Sequence, residues 1–122
     1  MCLDRITPNS KDPKEEGVGY KVFKKDEYHS DWFIAPLFDD PGQIFIEGNW
    51  IKDNHSVTIV TPDNNLYCSG FHLFETEEAA EVFNDWVAGL SYIKKVKYRN
   101  VIIKGEQGDE KVIVAREVMI CQ

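Results

Sequence analysis

The clearest periodic pattern in the chain lies between residues 76 and 90. Ala79, Val82, Phe83, Trp86, Val87 and Leu90 recur at helical spacing, while Glu77, Glu78, Glu81 and Asp85 fall mostly elsewhere. Thr76 stands where an N-cap belongs, and Glu77 and Glu78 suit the positive end of a helix dipole. The pattern predicts an amphipathic helix over about residues 76–90, laid on a sheet, with Trp86 in the packing rather than on a ligand.

Upstream of that helix the apolar runs are short and broken by turn residues. Strands are expected at 20–23, at 32–38 as an edge interrupted by Pro36, at 43–46, 49–51 and 55–60, and at 66–74. Asp39-Asp40-Pro41-Gly42 and Thr61-Pro62-Asp63-Asn64-Asn65 read as turns. Residues 1–17 are polar, with two prolines and few anchors, and are expected to be irregular. Downstream, 93–104 and 111–121 read as two long strands joined by a loop over 105–110. The expected fold is α+β: a mostly antiparallel β-sheet with one main amphipathic helix and a C-terminal β-hairpin. At 122 residues the chain makes one domain.

Composition narrows the function classes. A net charge of -7 disfavours polymeric nucleic acid and anionic membranes as partners, although a small anion responds to the local field. No run of 18 apolar residues is present, and no apolar stretch follows Met1-Cys2-Leu3-Asp4-Arg5, so a cytoplasmic protein is expected. The sequon Asn54-His55-Ser56 carries little weight without a secretory route. Cys2, Cys68 and Cys121 are far apart and have no metal-ligand spacing, so no metal and no cofactor are expected and the thiols read as buried and free.

Candidate chemistry concentrates in two places. The segment Ser69-Gly70-Phe71-His72-Leu73-Phe74 sets a flat ring and a polar ring beside a glycine that permits close approach of a ligand or of another backbone. The strand 93–104 holds five of the 14 basic residues and no acid, with Lys95, Lys97 and Arg99 on one face and Val96, Tyr98 and Ile102 on the other. That stripe reads either as an anion site or as a solvated face whose lysines protect a sheet edge. Arg116 shares the alternation of Val112, Val114, Val118 and Ile120, and an arginine in an apolar row needs a carboxylate, a rim position or a phosphate. Neither His29, His55 nor His72 stands in a recognisable nucleophile motif. An N-terminal Cys2 nucleophile is conceivable in principle, but the domains that use one are much larger. A binder is favoured over an enzyme.

Several motifs together resemble a known family. They are Met1-Cys2-Leu3, Gly19-Tyr20-Lys21-Val22-Phe23, Gly48-Asn49-Trp50, the Ser69–Phe74 segment with the acidic helix behind it, Val101-Ile102-Ile103-Lys104-Gly105 and Val114-Ala115-Arg116-Glu117-Val118. From residue 18 onward the chain resembles small phage and prophage proteins, specifically the first-described Thoeris anti-defence family of signal-sequestering sponges. The resemblance implies a non-enzymatic protein that holds glycocyclic ADP-ribose, made by host TIR-domain proteins, intact in the host cytoplasm. It also implies binding of cyclic oligonucleotides by some members, and a homodimer or larger homo-oligomer with ligand sites involving more than one subunit. Under that reading Phe71 stacks on adenine, His72 supplies a polar edge, Arg99 or Arg116 takes the pyrophosphate with Lys97 nearby, and Asn84 or Asn100 reads polar edges. The alternatives are an acidic phage protein that blocks a host protein by direct contact, and a small hydrolase of the same signal.

Overall fold

The computed structural model describes residues 3–34, 44–53, 58–85 and 90–122. Its strands in chain order are β1 (Arg5–Ile6), β2 (Asp12–Lys25), β3 (Phe33–Ile34), β4 (Trp50–Lys52), β5 (Thr58–Val60), β6 (Leu66–Cys68) and β7 (Phe71–Phe74). Helix α1 (Glu77–Asn84) follows, then β8 (Tyr92–Gln107) and β9 (Glu110–Ile120). The mostly antiparallel α+β architecture expected from the sequence is the one observed. No helix among the described residues is long and apolar enough to cross a membrane.

The pairings close on themselves. β8 pairs β2, β2 meets β7 at Tyr20 and Phe74, β7 pairs β9, and β9 pairs β8. Closure of this kind removes exposed edges from the strands involved. Inside the ring, Phe23 of β2, Phe71 and Leu73 of β7, Val96 and Tyr98 of β8, and Ile113 and Val118 of β9 form one apolar cluster. Phe33 and Phe45 join it through edge and tilted contacts with Phe23, at 5.9 and 5.1 Å between ring centres. A second cluster lies outside the ring, where Val22, Phe74, Val112 and Val114 are covered by Ala79 and Ala80 of α1, by Leu3 and by Tyr67.

The hairpin β8–β9 is tighter than the expected loop. Gln107 pairs with Glu110, leaving only Gly108 and Asp109 at φ 54° and 69°. Two consecutive left-handed residues are the signature of a type I′ turn, whose twist matches that of its strands.

Three expectations need correction. Residues 1–17 are not irregular throughout: β1 pairs Gly105 and Glu106, and β2 already starts at Asp12. Backbone pairing with β8, not apolar side chains, orders this stretch, and the register slips between Asp12 and Glu16 where Pro13 lacks a donor. The expected strand 66–74 is two strands separated by Ser69 and Gly70. The helix begins where its cap predicts, with Thr76 Oγ1 accepting from Ala79 N at 3.2 Å. Its buried face is Ala79, Ala80 and half-buried Phe83, whereas Val82 and Leu90 are exposed, because a helix this short covers the sheet with its small residues. Trp86, Val87, Pro36, the 39–42 turn, His55 and Cys2 lie outside the described residues.

Candidate functional site

The alternation of both long strands slips at one level. On β8, Val96 and Tyr98 point inward, and so does Val101; on β9, Ile113 and Ala115 point inward, and then Val118 and Ile120. The slip falls at Asn100, whose φ is +60°, just before the register irregularity between Val101 and Ile103, and at Arg116, which lies between Ala115 and Glu117, the partners of Val101 and Arg99. At the same level β9 changes its second partner, from β7 through Ala115 to β4 from Glu117 onward. Arg116 is therefore not in a continuous apolar row. Val112 and Val114 belong to the outer cluster and Val118 and Ile120 to the inner one, and Arg116 stands at the fork between them.

A cleft of about 420 Å³ opens at that fork. Arg116, Asn100 and Lys11 supply its polar groups, and Leu66, Ile102 and Ile103 supply apolar wall. Among the described residues no carboxylate lines it. Half-buried Arg116 donates from Nη1 to the Asp53 carbonyl at 3.4 Å and from Nη2 to Cys68 Sγ at 3.8 Å, both long. A guanidinium carries five N–H donors, so most of its capacity remains for an anion. Among the described residues no carboxylate forms an ion pair with Arg116. The result is a small cationic recess on a protein of net charge -7.

Of the residues singled out from the sequence, the cleft brings together Arg116 and Asn100. The others are elsewhere. Phe71 is 5% exposed and stacks edge-on with Phe45 at 5.3 Å, so its ring faces are spent in the core. Arg99 pairs with Glu117 at 3.1 Å and lies 4.0 Å over the Trp50 ring. Lys97 is exposed on the outer sheet face between Val18 and Met119. Asn84 accepts a short hydrogen bond from Ser91 Oγ. The space beside Gly70 is filled from within: a Cβ there would stand 2.8 Å from the Ala115 carbonyl and 2.6 Å from Ile102.

His72 is buried and anchors the fold. Leu3 N donates to Tyr67 Oη at 2.9 Å, and Tyr67 Oη lies 3.0 Å from His72 Nε2. His72 Nδ1 is 3.1 Å from the Gly70 carbonyl, which needs a donor, so Nδ1 carries the proton and Nε2 accepts from Tyr67. Burial, then the nearby Lys21 charge, push the imidazole from 6.5 down to about 3, against the opposing pull of the Gly70 carbonyl. Lys21 is buried too, donates to the His72 carbonyl at 2.8 Å, and is itself pushed down to about 8 by burial despite the charge of Asp53.

A pH dependence follows from His72. The folded state holds it neutral while the unfolded chain binds a proton below 6.5, so stability is full above that value and falls as the pH drops toward about 3. The loss approaches about 1.4 kcal/mol per pH unit within that window. Urea midpoints of wild type and His72→Gln, measured from about pH 7 to pH 4, should converge as the pH falls. Parallel curves would show that another group carries the acid sensitivity.

Lys11 is the cleft residue that sequence reasoning missed. It lies in a polar stretch without periodicity, and only the pairing of Asp12 with Val101 brings it to the fork. The chain matches no family model, no curated protein and no solved structure.

Proposed function

We propose that this protein binds and sequesters a small phosphorylated signal of the glycocyclic ADP-ribose type without breaking it, as a phage-encoded sponge in the host cytoplasm that blocks Thoeris effector activation. The observation that carries the reading is the cleft lined by Arg116, Lys11 and Asn100 and, among the described residues, by no carboxylate. A guanidinium fork with an ammonium opposite suits a pyrophosphate, and a carboxamide suits a ribose or base edge. Leu66, 65% exposed, and Ile102 offer apolar surface for a purine in place of Phe71. Additional enclosure comes from a second subunit in this reading, since a nanomolar ligand needs about 12 kcal/mol of net binding free energy.

Binding without turnover is favoured over hydrolysis by the state of the histidines. His72 has both ring nitrogens engaged in the fold, and His29 pairs with Asp26 at 2.7 Å while stacking on Trp32. Of these two described histidines, neither lines the cleft, and the one hydroxyl beside His72, Tyr67 Oη, is taken up by Leu3 N and His72 Nε2 in the fold. The protein-contact alternative needs no such cleft.

A release assay decides among the three. The protein is mixed with TIR-generated cyclic ADP-ribose isomers and filtered, and then heated. Mass spectrometry should find one isomer depleted from the filtrate and returned intact. Return of breakdown products alone would make the protein a hydrolase. No depletion would remove these ligands and favour a protein target.

A further inference from the structure

The polar strap from Thr7 to Lys11 crosses a gap along β8. On one side of the gap Ile6 pairs with Gly105, and on the other Asp12 pairs with Val101. Between them the backbone of Lys104 is answered by the strap. Thr7 N donates to the Lys104 carbonyl at 2.9 Å, and Lys104 N donates to Ser10 Oγ at 2.8 Å. The hydroxyl gives its own proton to the Thr7 carbonyl at 2.7 Å, closing the turn made by Pro8 and by Asn9 at φ 57°. Half-buried Ser10 therefore stands in for a missing strand, because a backbone N–H at that place needs an acceptor. Lys11 follows directly. Its side chain lines the cleft and makes no ion pair or hydrogen bond among the described residues. On its far side the hold is looser, since after the pairing of Asp12 the register slips and resumes only at Glu16 with Arg99.

We propose that Ser10 is the positioning residue of the cleft: its hydroxyl ties the strap to β8 and so keeps the Lys11 ammonium at the fork, on the same anion as Arg116. The inference rests on the reading of the cleft as an anion site. An ammonium on a four-carbon stem has no fixed direction of its own, so where it acts depends on where its backbone is held. Ser10 supplies that hold from the adjacent position, through a bond to a strand that runs on to Asn100 in the cleft wall. Freed from β8, the strap would carry Lys11 into solvent, and binding an anion there would require ordering the strap again. Ser10 touches no ligand in this reading. It acts through Lys11.

Inorganic pyrophosphate is the probe, titrated into the full chain and followed by NMR at the Arg116 Nε–H and the Asn100 side-chain amide. Lys11→Ala should weaken binding about fivefold, and Ser10→Ala by a similar factor. Added to Lys11→Ala, Ser10→Ala should cost less than about twofold more, because the two losses are one. Both single variants should flatten the salt dependence of the affinity equally, although a serine carries no charge. Ser10→Thr keeps the hydroxyl and should stay within about twofold of wild type. Circular dichroism checks folding, and Ser10→Cys, a weaker hydrogen-bonding group, repeats the test if Ser10→Ala does not fold. Lower stability of Ser10→Ala with affinity and salt dependence unchanged would make the serine structural only and overturn the proposal. So would losses that add in the double variant. Failure of pyrophosphate to shift either signal in wild type would overturn the anion reading of the cleft and this inference with it. Binding that is lost on Arg116→Ala and weakened on Lys11→Ala, yet kept on Ser10→Ala, would overturn this inference alone.

Discussion

Replacing Gly105 by alanine is expected to lift the N-terminal segment off the barrel. The new Cβ would stand 2.1 Å from the Arg5 carbonyl oxygen and 2.9 Å from Leu3 Cδ1. Gly105 is paired on both sides, with Ile6 of β1 and with Val112 of β9. The β9 side belongs to the long hairpin ladder, whereas β1 has two residues, so β1 is the side that yields. Leu3, fully buried, then leaves the outer cluster, and its N–H is lost to Tyr67 and through it to His72. Overpacking and a broken buried hydrogen bond together cost about 2–3 kcal/mol, or about 10 °C in Tm for a chain of this size. Thermal unfolding by circular dichroism reads the shift. Limited trypsin digestion should cleave at Arg5 or Lys11 well before wild type does. An unchanged Tm with unchanged proteolysis would show that the ladder on the β9 side moves instead.

That dependence on backbone proximity explains which parts of the fold were legible beforehand. The 93–121 hairpin announced itself because both arms are rich in β-branched residues and a glycine-bearing polar loop separates them, and α1 because Thr76, Glu77 and Glu78 mark its start. Residues 12–17, Asp-Pro-Lys-Glu-Glu-Gly, contain no apolar side chain to betray a strand. They are ordered by an edge of β8 that becomes apparent only once the chain is folded.

The candidate site was legible in part and for a reason that fails on inspection. Arg116 stood out as a charge in an apolar row, yet the row does not exist. The parity slip at Asn100 and Arg116 divides it between two clusters. Strict period-two counting cannot register such a slip, because neither strand signals it with a proline or a glycine. The same limit misplaced the Gly70–His72 segment. A glycine records that something comes close, and here the close neighbours are Ile102 and the Ala115 carbonyl. With that space filled, Phe71 turns into the core and His72 into the Tyr67 network, and the polar groups at the fork come from strands far apart in sequence.

Arg116→Ala should weaken retention of the proposed phosphorylated signal by about 30- to 150-fold, the equivalent of the 2–3 kcal/mol that a charge-assisted fork contributes. Arg116→Lys keeps the charge but loses the paired donors, and should fall between the two. Stability should barely change, because the contacts that Arg116 makes within the fold are long, 3.4 and 3.8 Å. Calorimetric titration with the isomer identified in the release assay gives the affinities, and denaturant midpoints give the stability. The informative control is Arg99→Ala. That side chain is engaged with Glu117 and Trp50 on a different face, so its loss should leave affinity within about threefold of wild type. The reverse outcome, with retention lost at Arg99 and kept at Arg116, would move the ligand from the fork to the outer sheet face. There Lys97 and Trp50 flank Met119, and the stripe of bases on β8 would be an anion site after all.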